Sequence, residues 1–109
     1  MSPFDIVIDY VCRNCYVNRA LLFGPSRERR FVRARWLAAW LMRKHYKFTL
    51  EQIGHALNRE HTTITHAIEA FGELLAGGTE DGQHFTRLVN NFTATQTGGV
   101  VMKGGIACA

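Results

Sequence analysis

Several things are scarce in this sequence of 109 residues, and each shortage excludes something. No run of about 18 apolar residues occurs, so no membrane-spanning helix is expected. The first residues, MSPFDIVIDY, lack the basic and apolar regions of a secretory signal, and a cytoplasmic location is the expectation. Cysteine occurs three times, at Cys12, Cys15 and Cys108, an odd number that argues against a disulfide framework and for a reducing compartment. Cys12 and Cys15 have the spacing of a metal or redox pair. No second Cys/His pair completes a zinc site, however, and no βαβ pattern surrounds them. They are read as helix residues at i and i+3, and no metal is expected. Proline occurs twice, and both prolines mark boundaries: Ser2-Pro3 starts a helix and Gly24-Pro25-Ser26 breaks the chain. Catalytic patterns are missing too. His61 and His66 are five apart rather than the four of HExxH, and no serine or cysteine has an evident base partner, so no catalytic residue is assigned.

Acid is scarcest where base is densest. Between Arg27 and Lys47 stand Arg27, Arg29, Arg30, Arg33, Arg35, Arg43, Lys44 and Lys47 against Glu28 alone, a local charge of +7. The rest of the chain carries −3, which leaves the net +4. Such a cluster is either a solvated helix face or the usual electrostatic footprint for a polyanion, nucleic acid or an anionic membrane surface. Like charges packed this closely repel one another unless something neutralises them, which favours the second.

Hydrophobic spacing gives an all-α chain. A first helix runs from Ser2-Pro3 to about Tyr16, with Ile6, Ile8, Val11 and Cys15 on its apolar face, and Val17, Leu21 and Leu22 anchor the turn after it. The longest helical signal spans Arg30 to Tyr46, with Val32, Trp36, Leu37, Trp40 and Leu41 as its stripe. Trp36 and Trp40 are read as core or rim residues. No second aromatic cluster is evident that would support single-strand binding. Thr49 caps the next helix, with Gln52 in capping-box position, and Leu50, Ile53 and Leu57 face inward. Asn58-Arg59-Glu60, with Asn58 or Glu60 as a cap, turns the chain into HTTITHAIEAFGELL, whose Ile64, Ala67, Ile68, Phe71 and Leu75 are expected to be buried before Gly77-Gly78 ends it. A last helix covers Thr79 to about Phe92. Residues 1–92 are taken as one domain and 93–109 as a flexible tail.

A short helix, a tight turn and a second helix with a polar first turn have the form of a helix-turn-helix. The first turn holds Glu60, His61, Thr62 and Thr63. Their side chains donate to or accept from base edges, a threonine methyl meets a thymine methyl, and the helix N-terminus offers N–H groups to a phosphate.

REHTTITHA, followed back through TLEQIGHAL to the basic loop and the R-x-R start of the long helix, resembles the C-terminal DNA-binding domain of the bacterial replication initiator DnaA. The family signature is commonly written GRDHTTVLHA, and the likeness covers roughly Ile6 to Leu75. It implies a small all-α domain with a helix-turn-helix, of DnaA C-terminal or Trp-repressor-like type. Arg27 then matches the basic-loop arginine of the minor groove, and Glu60, His61 and Thr62 match the residues that read major-groove bases. Thr63, Thr65 and His66 fall at backbone-contacting or supporting positions. Two alternatives stay open there: a packed or capping role for His66, and a mere surface position for Thr65. Arg35 and Arg43 match positions that face phosphate, Thr49 and Leu50 lie at a helix N-terminus near the backbone, and Arg33 and Arg59 match further family arginines. The implied partner is double-stranded DNA at DnaA-box-like sites, read by a monomer.

Departures from the family pattern are specific. Glu60 replaces Asp, ALNREH replaces AFGGRDH and shortens the turn, Ala34 and Trp36 replace a proline and a polar residue, and Glu69 and Ala70 stand where basic residues are common. A shifted consensus is therefore an alternative to the usual box. No G-x-x-x-x-G-K-[ST] loop is present, so no nucleotide cofactor is expected, and ATP-driven duplex opening is not expected of this chain alone. The expectation is a small nucleoid-associated regulator of transcription or replication, or a competitor that masks initiator sites. The rival reading is a protein-interaction module, with the Trp36/Trp40 surface and the basic loop meeting an acidic replication or transcription partner.

Overall fold

The structure, a computed structural model, describes residues 2–97. Among the described residues it contains six α-helices and no strand: α1 (Pro3–Cys15), α2 (Arg19–Phe23), α3 (Arg29–Lys44), α4 (Leu50–Leu57), α5 (His61–Ala76) and α6 (Glu80–Thr97). The Ser2 hydroxyl starts α1 by accepting from the Asp5 N–H at 3.2 Å, with Pro3 in the first turn. The helix ends at Tyr16, which is left-handed (φ 57°), as the Val17 N–H reaches back to the Cys12 carbonyl at 3.2 Å. The turn expected next is itself a short helix. Asn18 caps α2 by accepting from the Leu21 N–H at 2.8 Å, and Leu22 is fully buried.

Helix α3 is the central element and packs against each of the other five. That position explains where its burial departs from the expected stripe. Phe31, Ala34, Leu37, Ala38, Ala39, Leu41 and Met42 are buried, whereas Val32, Trp36 and Trp40 are half-buried at the rim. A helix covered on several sides buries small residues where its neighbours approach closely, so Ala34 and Ala38 take places that a one-sided stripe would deny them. Helix α1 similarly buries Val7 alongside Ile8 and Val11 and leaves Ile6 half-exposed.

Thr49 and Gln52 form the expected capping box. The Thr49 hydroxyl accepts from the Gln52 N–H at 3.0 Å, and the Gln52 side chain accepts from the Thr49 N–H at 2.9 Å. Ile53 and Leu57 are buried, with Leu50 half-buried. On α5, Ile64, Ala67 and Phe71 are buried, while Ile68 and Leu75 are only partly covered. Helix α6 closes the fold through Phe85, Leu88 and Phe92, with Phe85 edge-on to Phe71 at 5.4 Å. It continues to Thr97, past the boundary expected at Phe92, and the Thr95 hydroxyl donates back to the Asn91 carbonyl at 2.7 Å. The remainder of the expected tail, with Cys108, lies outside the described residues.

An aromatic cluster that the sequence did not reveal ties α1 to α6 and to the segment before α4. Phe4 stacks on Phe48 at 4.3 Å, Tyr46 stacks on Phe48 at 5.6 Å, and Tyr10 meets Phe92 edge-on at 4.9 Å while its hydroxyl donates to the Leu88 carbonyl at 2.6 Å. These rings pack against the core. With that end fixed, α4, the turn at Asn58–Glu60 and α5 lie against α3 as a helix-turn-helix.

Candidate nucleic-acid interface

The turn between α4 and α5 sets the start of the second helix. Asn58 is left-handed (φ 58°), the Arg59 N–H donates to the Gly54 carbonyl at 2.8 Å, and the Asn58 N–H donates to that of His55 at 3.3 Å. This is the bonding of a Schellman cap, with asparagine tolerating the conformation that glycine usually supplies. Asn58 alone thus supplies the left-handed residue that closes α4. Gly54 is required for a different reason: a Cβ there would lie 2.5 Å from the Arg59 carbonyl. Neither role was assigned from the sequence, although an asparagine at a helix end was the available signal for the first.

With Ile64 and Ala67 directed inward, the first turn of α5 faces out. Glu60, His61, Thr62 and Thr63 are all exposed. Glu60 is the N-cap residue in extended conformation (φ −70°, ψ 152°), and its carboxylate makes no capping bond. The first N–H groups of α5 therefore have no side-chain acceptor from Glu60, and the helix presents its positive end beside one carboxylate, one imidazole and two hydroxyls. The Thr65 hydroxyl donates to the His61 carbonyl at 3.1 Å. His66 is 83% exposed and its Nδ1 lies 4.0 Å from Glu69, so a packed or capping role for it does not hold.

The basic residues divide into those that face solvent and those that face the protein. Arg27, Arg29 and Arg30 are exposed, the last with its guanidinium 4.9 Å from the Phe31 ring centre. Lys44 and Lys47 are exposed, with the Lys44 ammonium 5.0 Å from the Trp40 ring centre. Arg43 is exposed and donates to the Phe48 carbonyl at 2.9 Å. Arg33 is held by Asp81 at 2.6 Å. Thr49, at the start of α4, is exposed, but its oxygen already serves the capping box, and Leu50 follows it half-buried.

Arg35 corrects the expectation of a phosphate-facing residue. It is 9% exposed, and its guanidinium points into the protein. Nε donates to the Leu22 carbonyl at 2.7 Å, Nη1 to Ser26 at 2.7 Å, and Nη2 to Gly24 at 2.8 Å and Leu21 at 3.1 Å. Burial, and then the neighbouring charge of Arg59, hold its pKa below the ordinary arginine value. Arg59, also expected on the DNA side, is half-buried and likewise turned to carbonyls: those of Phe23 at 3.2 Å, Leu57 at 3.3 Å, Asn58 at 3.0 Å and Gly24. Both arginines are satisfied by backbone because the end of α2 and the loop after it leave carbonyls without helical partners.

Elsewhere the chemistry is quiet. Cys12 and Cys15 are free thiols on α1, and burial raises both, that of Cys15 to about 11. Neither is therefore a thiolate near neutral pH. No group of three or more potential metal-ligating side chains comes together among the described residues, and none of their helices is long and apolar enough to cross a membrane.

A family model described as the bacterial dnaA protein helix-turn-helix matches residues 4–70, from the first turn of α1 to the middle of α5. This chain belongs to the bacterial DnaA helix-turn-helix family. Its DnaA relatives include the chromosomal replication initiator protein DnaA of Thermomicrobium roseum, 36% identical over 72 residues that cover 65% of this chain and 16% of the relative. That of Oleidesulfovibrio alaskensis is 31% identical over 86 residues, covering 79% and 19%, and that of Leptospira biflexa is 38% identical over 72 residues, covering 66% and 16%. The chain thus spans under a fifth of the length of these DnaA proteins. The matched part contains the basic loop, α3, α4 and the first turns of α5, and the family assigns DNA as the class of ligand for this helix-turn-helix.

Proposed function

We propose that this chain binds double-stranded DNA in a sequence-specific manner at DnaA-box-like sites, and that it regulates transcription or replication by occupying them. The start of α5 enters the major groove, where Glu60, His61 and Thr62 read base edges and Thr63 meets the backbone. Arg27 reaches the adjacent minor groove, and Arg43 with the other exposed cations of the segment neutralises phosphates. The observation that carries this reading is the first turn of α5: polar, exposed, and behind a cap residue whose side chain leaves its N–H groups free. Such an arrangement gives a core nothing and a DNA groove a complete set of donors and acceptors.

Glu60 in place of the family aspartate sets the carboxylate one methylene further out, and a changed base preference under that residue follows from it. On this reading the protein acts as a monomer in the cytoplasm, at the nucleoid, and hydrolyses nothing, since occupancy of the site is itself the output. Fluorescence anisotropy tests it, with a duplex bearing a DnaA box and a scrambled duplex at low and physiological salt. The expected result is a preference for the box that survives added salt. Equal binding that salt abolishes would remove base readout, and no binding to either duplex would put the protein-interaction reading first.

A further inference from the structure

The carbonyls of Leu21, Leu22, Phe23, Gly24 and Ser26 all accept from two guanidinium groups, Arg35 of the central helix and Arg59 of the helix-turn-helix turn. The Gly24 carbonyl accepts from both. Neither arginine has a carboxylate partner among the described residues, so the two like charges are held together by backbone dipoles alone. The segment they grip ends one residue before Arg27. Arg59 also donates to Leu57 and Asn58, beside the cap that fixes where α5 begins. One side chain therefore binds the loop that carries Arg27 and the turn that aims His61 and Thr62.

We propose that Arg59 is a positioning residue for DNA recognition, a staple that holds the Arg27 loop at a fixed offset from the start of the recognition helix. The proposal rests on the DNA-binding reading above. The chemistry favours arginine for this task. Its planar fork serves several carbonyls at once in one orientation, whereas a lysine ammonium keeps the charge but not the fork. Half of the bonds lie on the loop and half on the turn, so losing the fork frees the loop relative to the helix rather than unfolding either. Arg35 is the deeper anchor of the same loop. With 9% exposure and four internal bonds, it serves the fold as well as the loop and is the poorer probe. An ordered loop would present Arg27 to the minor groove without ordering cost at the moment of binding, and the two grooves would be read as a unit.

The test compares Arg59→Lys, Arg27→Ala and the double variant in the full chain. Backbone amide exchange at Glu28, whose N–H donates to the Ser26 hydroxyl at 3.3 Å, reports the order of the stapled loop in the free protein. We expect Arg59→Lys to speed it on the order of tenfold while the helices keep their protection. Affinity for the DnaA-box duplex reports what the staple serves. Arg27→Ala should weaken binding by about tenfold in the parent and by only about twofold beside Arg59→Lys, because a loose loop has already lost most of that contact. Loop exchange left unchanged by Arg59→Lys would overturn the staple whatever the DNA shows, and so would additive losses of affinity. Faster exchange in a chain whose parent shows no preference for the box would keep the staple and overturn the DNA reading instead.

Discussion

Helix α4 begins behind Thr49 and helix α5 behind Glu60, and the two starts use their polar groups in opposite ways. At α4 the hydroxyl of Thr49 and the amide of Gln52 satisfy each other's backbone, so the helix start is closed upon itself. At α5 the cap residue makes no side-chain bond, and three further polar side chains stand exposed behind it. A capping hydrogen bond contributes about 1 kcal/mol to a helix, and α5 forgoes it. What supports α5 in exchange is burial on its other face, by Ile64, Ala67 and Phe71, and the turn that welds it to α4. One helix start is closed by its own side chains, and the other leaves its polar groups exposed, which on the proposed reading is where DNA is met.

The most severe way to break this comparison is to disturb the weld. Gly54→Ala places a methyl group 2.5 Å from the Arg59 carbonyl, and the backbone of the turn must move to admit it. A loss of about 2–3 kcal/mol in unfolding free energy is expected, measured by urea denaturation. A loss below about 0.5 kcal/mol would show that the two helices are not held by that close approach.

Next in size is the open start itself. His61→Ala and Thr62→Ala should each cost about 1–3 kcal/mol in binding to the preferred duplex, with far less lost on a scrambled one. Both side chains are exposed, so unfolding free energy should stay within about 0.5 kcal/mol of the parent. If either substitution lowered stability by more than affinity, the first turn of α5 would be serving the fold.

Thr49→Ala inverts that pattern. It should cost about 1 kcal/mol of stability through the lost capping box and leave the ratio of specific to scrambled binding unchanged. A change in that ratio would place the Thr49 hydroxyl among the base-reading contacts.

The two starts also differ in how legible they were. Thr49 and Gln52 lie three residues apart, and a local rule suffices to read them as a box. The turn and the polar face of α5 follow from sequence spacing nearly as directly. Arg35 could not be read this way. Its partners lie 9 to 14 residues earlier, and they are main-chain carbonyls that carry no signature in the sequence. By charge alone it is one more cation in a basic run. Trp36 and Trp40 lie at the rim, one of the two places read for them, but the half-exposed Val32 and the buried Ala34, Ala38 and Ala39 depart from the stripe, because periodicity assumes one buried face and α3 is covered on several. The aromatic cluster of Phe4, Tyr10, Tyr46, Phe48 and Phe92 joins residues up to 88 positions apart, from Phe4 in α1 to Phe92 in α6, beyond the reach of any local pattern.

The smallest expected effect concerns the acid on the open face. Glu69 lies 4.0 Å from His66 on the exposed side of α5. Both groups are exposed, 83% for His66 and 68% for Glu69, so water and salt screen whatever passes between them. Glu69 should therefore act on a nearby phosphate backbone as a weak, sequence-blind repulsion. Glu69→Gln removes the charge and keeps the shape, and it should tighten binding to specific and scrambled duplexes alike by a few tenths of a kcal/mol, roughly twofold at low salt. The gain should fade at physiological salt. A gain confined to the specific duplex would mean that the glutamate contributes to base preference, and no gain at low salt would mean that DNA follows α5 only over its first turn, short of Glu69.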